Sequence, residues 1–285
     1  MIRFGREPPK NWTPFITHLD MSKTETIDLA PIAGFTYLQR LELQKTLIRD
    51  VGPLAGLKSL QCVDLESTDV RELRPLGTLP SLRKLNLSRT KVRNLQPLRD
   101  LITLEWLDVS SSFVDDARSL MYLAGLRYLD LHDTRIRELP NFPRLLALEN
   151  LDLSGTRIRS AAALSCLTAL RGLDLSATLI SDLSSLTVLT NLKSLSIAKT
   201  KVENVTALAS LHKLEQLDLS FTDIGDLSTL SNLTSLRRLC VQQTHISNIK
   251  ALAHLRSLRI VGQALTRIDR QGSPLLVSPK KRPKR

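Results

Sequence analysis

The chain repeats one arrangement of apolar and polar positions every 22 residues. A threonine marks each repeat and recurs at that interval from Thr24 to Thr266, with Ser112 at the one exchanged position. In the repeats marked by Thr46 to Thr244, leucine stands eight residues before the mark. Further apolar residues stand five and three residues before the mark and two residues after it. A fixed period of this length is typical of a protein built from stacked, equivalent coils.

Each coil is predicted to contain a short strand and a tight return. Apolar residues alternate with polar ones just before the mark, which predicts a strand with one buried face, and the equal spacing predicts a parallel sheet. After the mark, apolar residues recur at steps of three, as in Leu95, Leu98 and Leu101, which favours a 3₁₀ or irregular segment. Prolines that can begin such a turn follow four marks by seven residues: Pro31, Pro53, Pro75 and Pro97. A single coil cannot form a core, so stability must come from neighbouring coils.

Segments such as LENLDLSGTRIRSAAALSCLTA and LEQLDLSFTDIGDLSTLSNLTS resemble leucine-rich-repeat proteins of the 22-residue class. That class includes bacterial internalins and a regulatory subunit of type-1 protein phosphatase. The resemblance spans roughly residues 16–268. It implies an α/β solenoid, a curved right-handed superhelix with a parallel β-sheet on the concave face and 3₁₀ or irregular segments on the convex face. The family usually has asparagine at the mark; the threonine hydroxyl found here can still bond to backbone of the neighbouring coil, but it offers fewer bonds than an amide.

The pattern divides the chain into three parts. Residues 1–15 are predicted to form an N-terminal cap, residues 16–272 a domain of about 12 repeats in unbroken register, and residues 273–285 a flexible basic tail. The pattern weakens in the last repeat, where Gln263 occupies a position that points inward in the other coils.

The formal charge of +12 is concentrated at the C-terminal end. Five cations lie within the last six residues: Lys280, Lys281, Arg282, Lys284 and Arg285. This segment resembles a monopartite nuclear-import signal, and the alternatives are a nonspecific basic end or a tether to nucleic acid or acidic lipid. The sequence shows no signal peptide and no apolar stretch long enough to span a membrane. A cytoplasmic location is therefore expected, with a nuclear location as the alternative. The protein is also expected to be a monomer.

Catalysis is not expected. The repeats keep their register without insertions, so no long loop is predicted of the kind on which catalytic residues usually lie. No nucleotide-binding, nucleophile or HExxH motif is present, the five histidines are scattered, and the three cysteines form no CxxC pair. We therefore predict no catalytic residue, no metal and no cofactor.

Residues six, four and two before each mark are predicted to point out of the sheet. The middle column is acidic and includes Asp108, Asp130, Asp152 and Asp174. With strands about 4.8 Å apart, these carboxylates would form a ladder of like charge. One interpretation is that they belong to the repeat consensus and are solvated or hydrogen-bonded. The other is a negative groove for a basic segment of a partner.

The outer column, formed by the residues six positions before each mark, varies from coil to coil, since the fold does not dictate it. It contains Arg40, Lys84, Trp106 and Tyr128, and the two aromatic residues fall on adjacent strands, with His132 on the strand of Tyr128. Exposed aromatic pairs are common at binding hot spots, so this region is the first candidate for a partner site. Simple packing between neighbouring side chains is the alternative.

A basic ridge is predicted just past the strands. Its arginines are Arg93, Arg135, Arg137, Arg157 and Arg159. Acidic residues lie nearby, so a solvated edge of mixed charge is the default interpretation and contact with phosphates the alternative.

These features favour a non-catalytic protein–protein interaction scaffold or adaptor that binds its partner on the concave face. The alternatives are a leucine-rich-repeat effector delivered to a host cell, or a nucleus-directed protein that uses the ridge and tail, with nucleic acid a less favoured partner than protein.

Overall fold

The computed structural model describes residues 15–246 and 248–262, together with two short strands at 267–268 and 274–275. The chain divides between Ile158 and Arg159 into two compact units. Both units are built from the same coil, in which a strand of three residues is followed by a turn at the marked position and a return segment.

The first unit carries seven strands, numbered in chain order. They are His18–Asp20 (β1), Arg40–Glu42 (β2), Cys62–Asp64 (β3), Lys84–Asn86 (β4), Trp106–Asp108 (β5), Tyr128–Asp130 (β6) and Asn150–Asp152 (β7). Each strand pairs in parallel with the next, and every paired residue lies 22 positions from its partner. The predicted parallel strands and their register are therefore confirmed in this unit.

The second unit carries five parallel strands. They are Gly172–Asp174 (β8), Ser194–Ser196 (β9), Gln216–Asp218 (β10), Arg238–Cys240 (β11) and Arg259–Val261 (β12). The register of 22 residues holds from β8 to β11. At β12 it shortens to 21, so the prediction of unbroken register is wrong there: Leu239 pairs with Ile260. A strict register would bring Gln263 to an inward position, and a polar side chain is disfavoured in an apolar core.

Beyond β12, Arg267–Ile268 (β13) and Pro274–Leu275 (β14) form an antiparallel pair. The predicted start of the tail, residue 273, therefore lies just before β14. The rest of the predicted tail, residues 276–285, lies outside the described residues, as does most of the predicted cap at residues 1–15.

Short 3₁₀ helices form most of the return segments. In the first unit they are Ala30–Ile32, Gly52–Gly56, Leu76–Thr78, Gln96–Leu98 and Arg118–Tyr122, and in the second Ala162–Leu164, Ser184–Val188, Thr206–Ser210, Ser228–Asn232 and Lys250–Leu252. Of the four prolines that were predicted to begin these turns, Pro31, Pro53 and Pro97 take the second position of their helix. Pro75 immediately precedes the helix that begins at Leu76. The predicted return segments are thus confirmed. The return between β6 and β7 contains no 3₁₀ helix, and Phe142 fills the position that leucine occupies in most coils.

The core of each unit consists of apolar columns. In the coil of β6, Leu126, Leu129, Leu131 and Ile136 are fully buried, and the corresponding positions of neighbouring coils are buried as well. Burying each such side chain contributes about 1.5–3 kcal/mol. Outward positions of the strands are left to vary, and these carry the candidate site.

The marked threonines bond within their own coil. Among the described residues, each of these hydroxyls donates to the carbonyl oxygen three residues earlier, as Thr134 does to Leu131 at 2.7 Å. The same bond, at 2.6–2.9 Å, is formed by Thr46, Thr68, Thr90, Thr156, Thr178, Thr200, Thr222 and Thr244. The possible bond to the neighbouring coil is therefore not confirmed. A threonine hydroxyl is short, and the strand end of its own coil turns a carbonyl towards it.

Candidate functional site

Two aromatic side chains stack on the outward face of the first unit. Trp106 and Tyr128 begin β5 and β6 and lie directly opposite one another. Their ring centroids are 5.1 Å apart with an interplanar angle of 9°. Both side chains are half-buried, so one part of the stack remains accessible. The parallel register produces this geometry, and the adjacency predicted from the sequence is confirmed.

A column of carboxylates runs beside the stack. Asp108, Asp130 and Asp152 end β5, β6 and β7 and lie opposite one another in the register. Each accepts a hydrogen bond from the backbone N–H two residues further on, at 2.8–2.9 Å. The repeat geometry therefore fixes the direction of these side chains.

Negative charge is crowded along the column. Burial raises the pKa of Asp108, and the neighbouring charge of Asp130 adds to the rise, against hydrogen bonds from Ser110 that lower it. Asp130 is only 8% exposed. Among the described residues, the only basic side chain paired with Asp130 is His132, which carries a positive charge only when it is protonated. A positively charged ligand would relieve this repulsion.

Asp130 lies at the centre of a small polar cluster. One of its carboxylate oxygens is 2.9 Å from Nδ1 of His132, and the Tyr128 hydroxyl approaches the other at 3.4 Å. Burial by itself lowers the pKa of His132, but the hydrogen bond with Asp130 and the charges of Asp130 and Asp152 bring it above its ordinary value. Burial, followed by the charges of Asp130 and Asp108, raises the pKa of Tyr128 to about 12.

The cluster extends across the strand pair to Asp152. The potential ligand atoms of Asp130, His132 and Asp152 all lie within 4.8 Å of one another. Sequence reasoning placed His132 beside Tyr128 but did not connect it with Asp152. The usable signal is a histidine two residues after one column aspartate, Asp130, together with a second column aspartate 22 residues after the first. A search for paired histidines cannot detect this spacing.

A groove of about 240 Å³ lies over β2 to β5 on the same face. Its lining residues are Arg40, Leu41, Glu42, Cys62, Val63, Asp64, Lys84, Asn86 and Trp106. Arg40 pairs with Glu42 at 2.8 Å, and burial raises the pKa of Asp64. Arg40 and Lys84 therefore take part in a surface of mixed charge that ends at Trp106.

The remaining predicted site residues lie elsewhere. Asp174 ends β8 in the second unit and accepts a hydrogen bond from Ser176. The ridge residues Arg93, Arg135, Arg137 and Arg157 are exposed in the first unit, and Arg159 is exposed in the second. Lys280, Lys281, Arg282, Lys284 and Arg285 lie outside the described residues.

Two further cations occupy the same repeat positions as the ridge arginines: Lys91 stands one residue after its mark and Arg49 three residues after its mark. Both pair with Asp69 and lower the pKa of its carboxyl, mainly through the hydrogen bond from Lys91. Arg135 lies over the ring of Phe113 at 4.4 Å. Within the described part of the chain, the other ridge arginines of the first unit form no ion pair. Three exposed guanidinium groups therefore remain accessible.

None of the helices among the described residues has the length and apolar character needed to cross a membrane.

Solved structures with the same fold come from bacteria and plants. An internalin, InlF, from Listeria monocytogenes is 25% identical, with a TM-score of 0.85 over 89% of this chain and 76% of that one. A leucine-rich-repeat protein of Leptospira interrogans is 22% identical, with a TM-score of 0.79 over 84% of this chain and 64% of that one. The plant peptide hormone receptor RGFR1 in complex with RGF2 is 19% identical, with a TM-score of 0.71 over 87% of this chain and 47% of that one.

Curated proteins offer no match to the sequence. The family described as "Leucine-rich repeat region" matches residues 104–268, which is more than half of the chain. The repeat period, the coil and the similar structures agree with this match. The chain belongs to the leucine-rich-repeat family.

Proposed function

We propose that this protein is a non-catalytic scaffold that binds another protein on the outward face of its first unit. Leucine-rich-repeat proteins are typically interaction modules that bind other proteins. The observation that carries the proposal is the stack of Trp106 on Tyr128, which the core does not require. Partly exposed aromatic side chains surrounded by polar groups are frequent binding hot spots.

The partner is expected to offer an extended segment with lysine or arginine side chains. Asp108, Asp130 and Asp152 lie beside the aromatic stack, and their mutual repulsion favours a cationic ligand. Cations can also lie over tryptophan and tyrosine rings, which adds about 0.5–2 kcal/mol. A groove on the same face, bounded by Trp106, gives room for residues that flank such an anchor.

The polar cluster does not support a catalytic alternative. His132 and Asp130 resemble the base and orienting acid of a hydrolase, which also needs a nucleophile within hydrogen-bond reach of the base. In the part of the chain that the structure describes, no serine, threonine or cysteine is hydrogen-bonded to His132. Binding is therefore the better use of these side chains.

The test is affinity capture with the full chain as bait, followed by mass spectrometry. The double variant W106A/Y128A removes the stack and is expected to lose the captured partner. A matched control, I102A/L146A, removes two large side chains that are 64% and 62% exposed elsewhere in the first unit. Equal recovery with wild type, W106A/Y128A and the control, all folded by circular dichroism, would overturn the proposal.

A second candidate function is contact with a phosphate backbone through the ridge. The observation in its favour is the exposure of Arg93, Arg137 and Arg157 without ion pairs in the described residues. If the ridge contacts phosphates, R93E/R137E/R157E lowers the affinity for a duplex DNA probe and flattens its dependence on salt. An unchanged affinity and salt slope would eliminate this function.

A further inference from the structure

We propose that Asp130, His132 and Asp152 form a binding site for a divalent transition-metal ion. This inference concerns a second ligand on the outward face and does not depend on the protein partner proposed above. Two carboxylates and one imidazole converge there from the adjacent strands β6 and β7.

The distances suit coordination of one ion. Nδ1 of His132 and the nearer oxygen of Asp130 are 2.9 Å apart. With bonds of about 2.0–2.2 Å, two ligand atoms are about 3.3–3.6 Å apart in a tetrahedral site and about 2.8–3.1 Å apart at adjacent octahedral positions. All three ligand atoms lie within 4.8 Å of one another, so the set is close to, and slightly wider than, the size of a single-ion site. His132 and Asp152 are part-exposed, so their side chains have room to rotate towards a common ion.

The donor set selects the class of metal. Two carboxylates balance a charge of +2, and a neutral imidazole supplies nitrogen, which favours ions such as Zn²⁺, Fe²⁺ or Co²⁺ over Mg²⁺ or Ca²⁺. Since three protein ligands leave coordination positions open, water or a ligand group from another molecule can complete the site.

The chain holds the three groups on a rigid frame. Asp130 and Asp152 each accept a backbone hydrogen bond from the residue two positions further on, which fixes the direction of both carboxylates. Asp130 is nearly fully buried, and the Tyr128 hydroxyl lies near its second oxygen. Supporting hydrogen bonds of this kind orient metal ligands.

The histidine is an addition to the repeat. Ser110 and Ser154 occupy the same position in the preceding and following coils, so the coil forms without an imidazole there. In the metal-free protein the Nδ1 proton of His132 points to Asp130. Metal binding at Nδ1 displaces that proton to Nε2 or to solvent, and the metal-bound imidazole is neutral.

The experiment is a Zn²⁺ titration of the full chain, freed of any histidine tag, by isothermal calorimetry, with Co²⁺ absorption spectra as a second readout. Wild type is expected to show saturable binding. H132S, which restores the residue of the adjacent coils, and D152N should each lower the affinity at least about tenfold and remove the Co²⁺ bands. H245S is the matched control, because His245 is exposed in the second unit and pairs with Asp223 instead.

Circular dichroism verifies that each variant is folded, and D152N tests the site independently if H132S does not fold. W106A should leave Zn²⁺ binding intact even where it abolishes partner binding, so the two proposals can fail separately. The absence of saturable binding to wild type would overturn the metal site, and so would equal affinity and equal Co²⁺ spectra for wild type, H132S and D152N.

Discussion

At the scale of the residue, the threonine mark stabilises the turn that ends each strand. The residue before it adopts a left-handed conformation, with φ of 52° to 60° at the non-glycine positions. That conformation costs about 1–2 kcal/mol for an L-residue. The buried threonine hydroxyl caps the strand-end carbonyl beside this strained residue and thereby helps to hold the turn.

We expect Thr68→Val to destabilise the protein by about 1–3 kcal/mol, because valine matches threonine in shape but leaves the Leu65 carbonyl buried without its donor. Thr68→Ser retains the hydroxyl and should therefore lose less stability than Thr68→Val. Urea denaturation of both variants measures the difference. Equal stability of wild type and Thr68→Val would show that the bond contributes nothing.

Asp64 has a raised pKa because burial disfavours its charge. A group with a raised folded pKa opposes folding when it is ionised, so its contribution improves as the pH falls through the folded pKa towards the ordinary value of 3.8. Asp64→Asn removes the charge and keeps an oxygen for the Glu66 amide, and Asn86 already occupies the same column.

We therefore expect Asp64→Asn to be at least as stable as wild type at about pH 7, with an advantage that shrinks by about pH 4. Denaturation of both proteins at each pH isolates the effect of this one carboxyl. A variant that is less stable at neutral pH would contradict the assigned direction.

At the scale of the element, the strands follow from the period. Each strand was predicted from the alternation of apolar and polar residues around its leucines. The equal spacing of the repeats predicted that residues such as Trp106 and Tyr128 lie side by side, as they do. The shortened step at β12 was not predicted, because Leu258 and Thr266 keep the interval of 22 in sequence while the pairing does not, although Gln263 already marks a weaker pattern there. The metal cluster was missed for another reason. Its three ligands belong to two coils, and only one of them is a histidine.

Leu129 is the central residue of β6 and is fully buried. Leu129→Ala should cost about 2–5 kcal/mol, because it leaves a cavity between coils. Ile102→Ala, at a 64% exposed position of the same unit, should change stability by less than about 0.5 kcal/mol. Chemical denaturation compares the two variants. Similar small decreases in the free energy of unfolding would show that the apolar columns are not the source of stability.

At the scale of the whole molecule, the repeat accounts for the buried apolar columns of the described coils. The outward columns are not fixed by the core and are available for binding. Family membership and the coil were accessible from sequence, since both depend on the period. The burial and pKa of the acidic column were not, because they depend on how closely neighbouring side chains approach. The identity of the partner depends on chemistry that lies outside this chain.

The acidic column predicts how binding responds to charge. Asp108→Asn combined with Asp152→Asn should weaken the binding of a basic partner and reduce the dependence of the dissociation constant on salt. Asp218→Asn, in the same column of the second unit, is the matched control. Surface plasmon resonance with the captured partner at two salt concentrations measures both effects, and an unchanged salt dependence would exclude the column from the interface.

Site-specific cross-linking tests the binding face most directly. A photoreactive phenylalanine analogue at Asn150 lies in the outer column, one strand beyond Tyr128, and the same analogue at the exposed Leu146 lies on the return segment. The proposed interface predicts that the partner is cross-linked from position 150 and not from position 146. Cross-linking from position 146 alone would place the partner elsewhere and contradict the central claim.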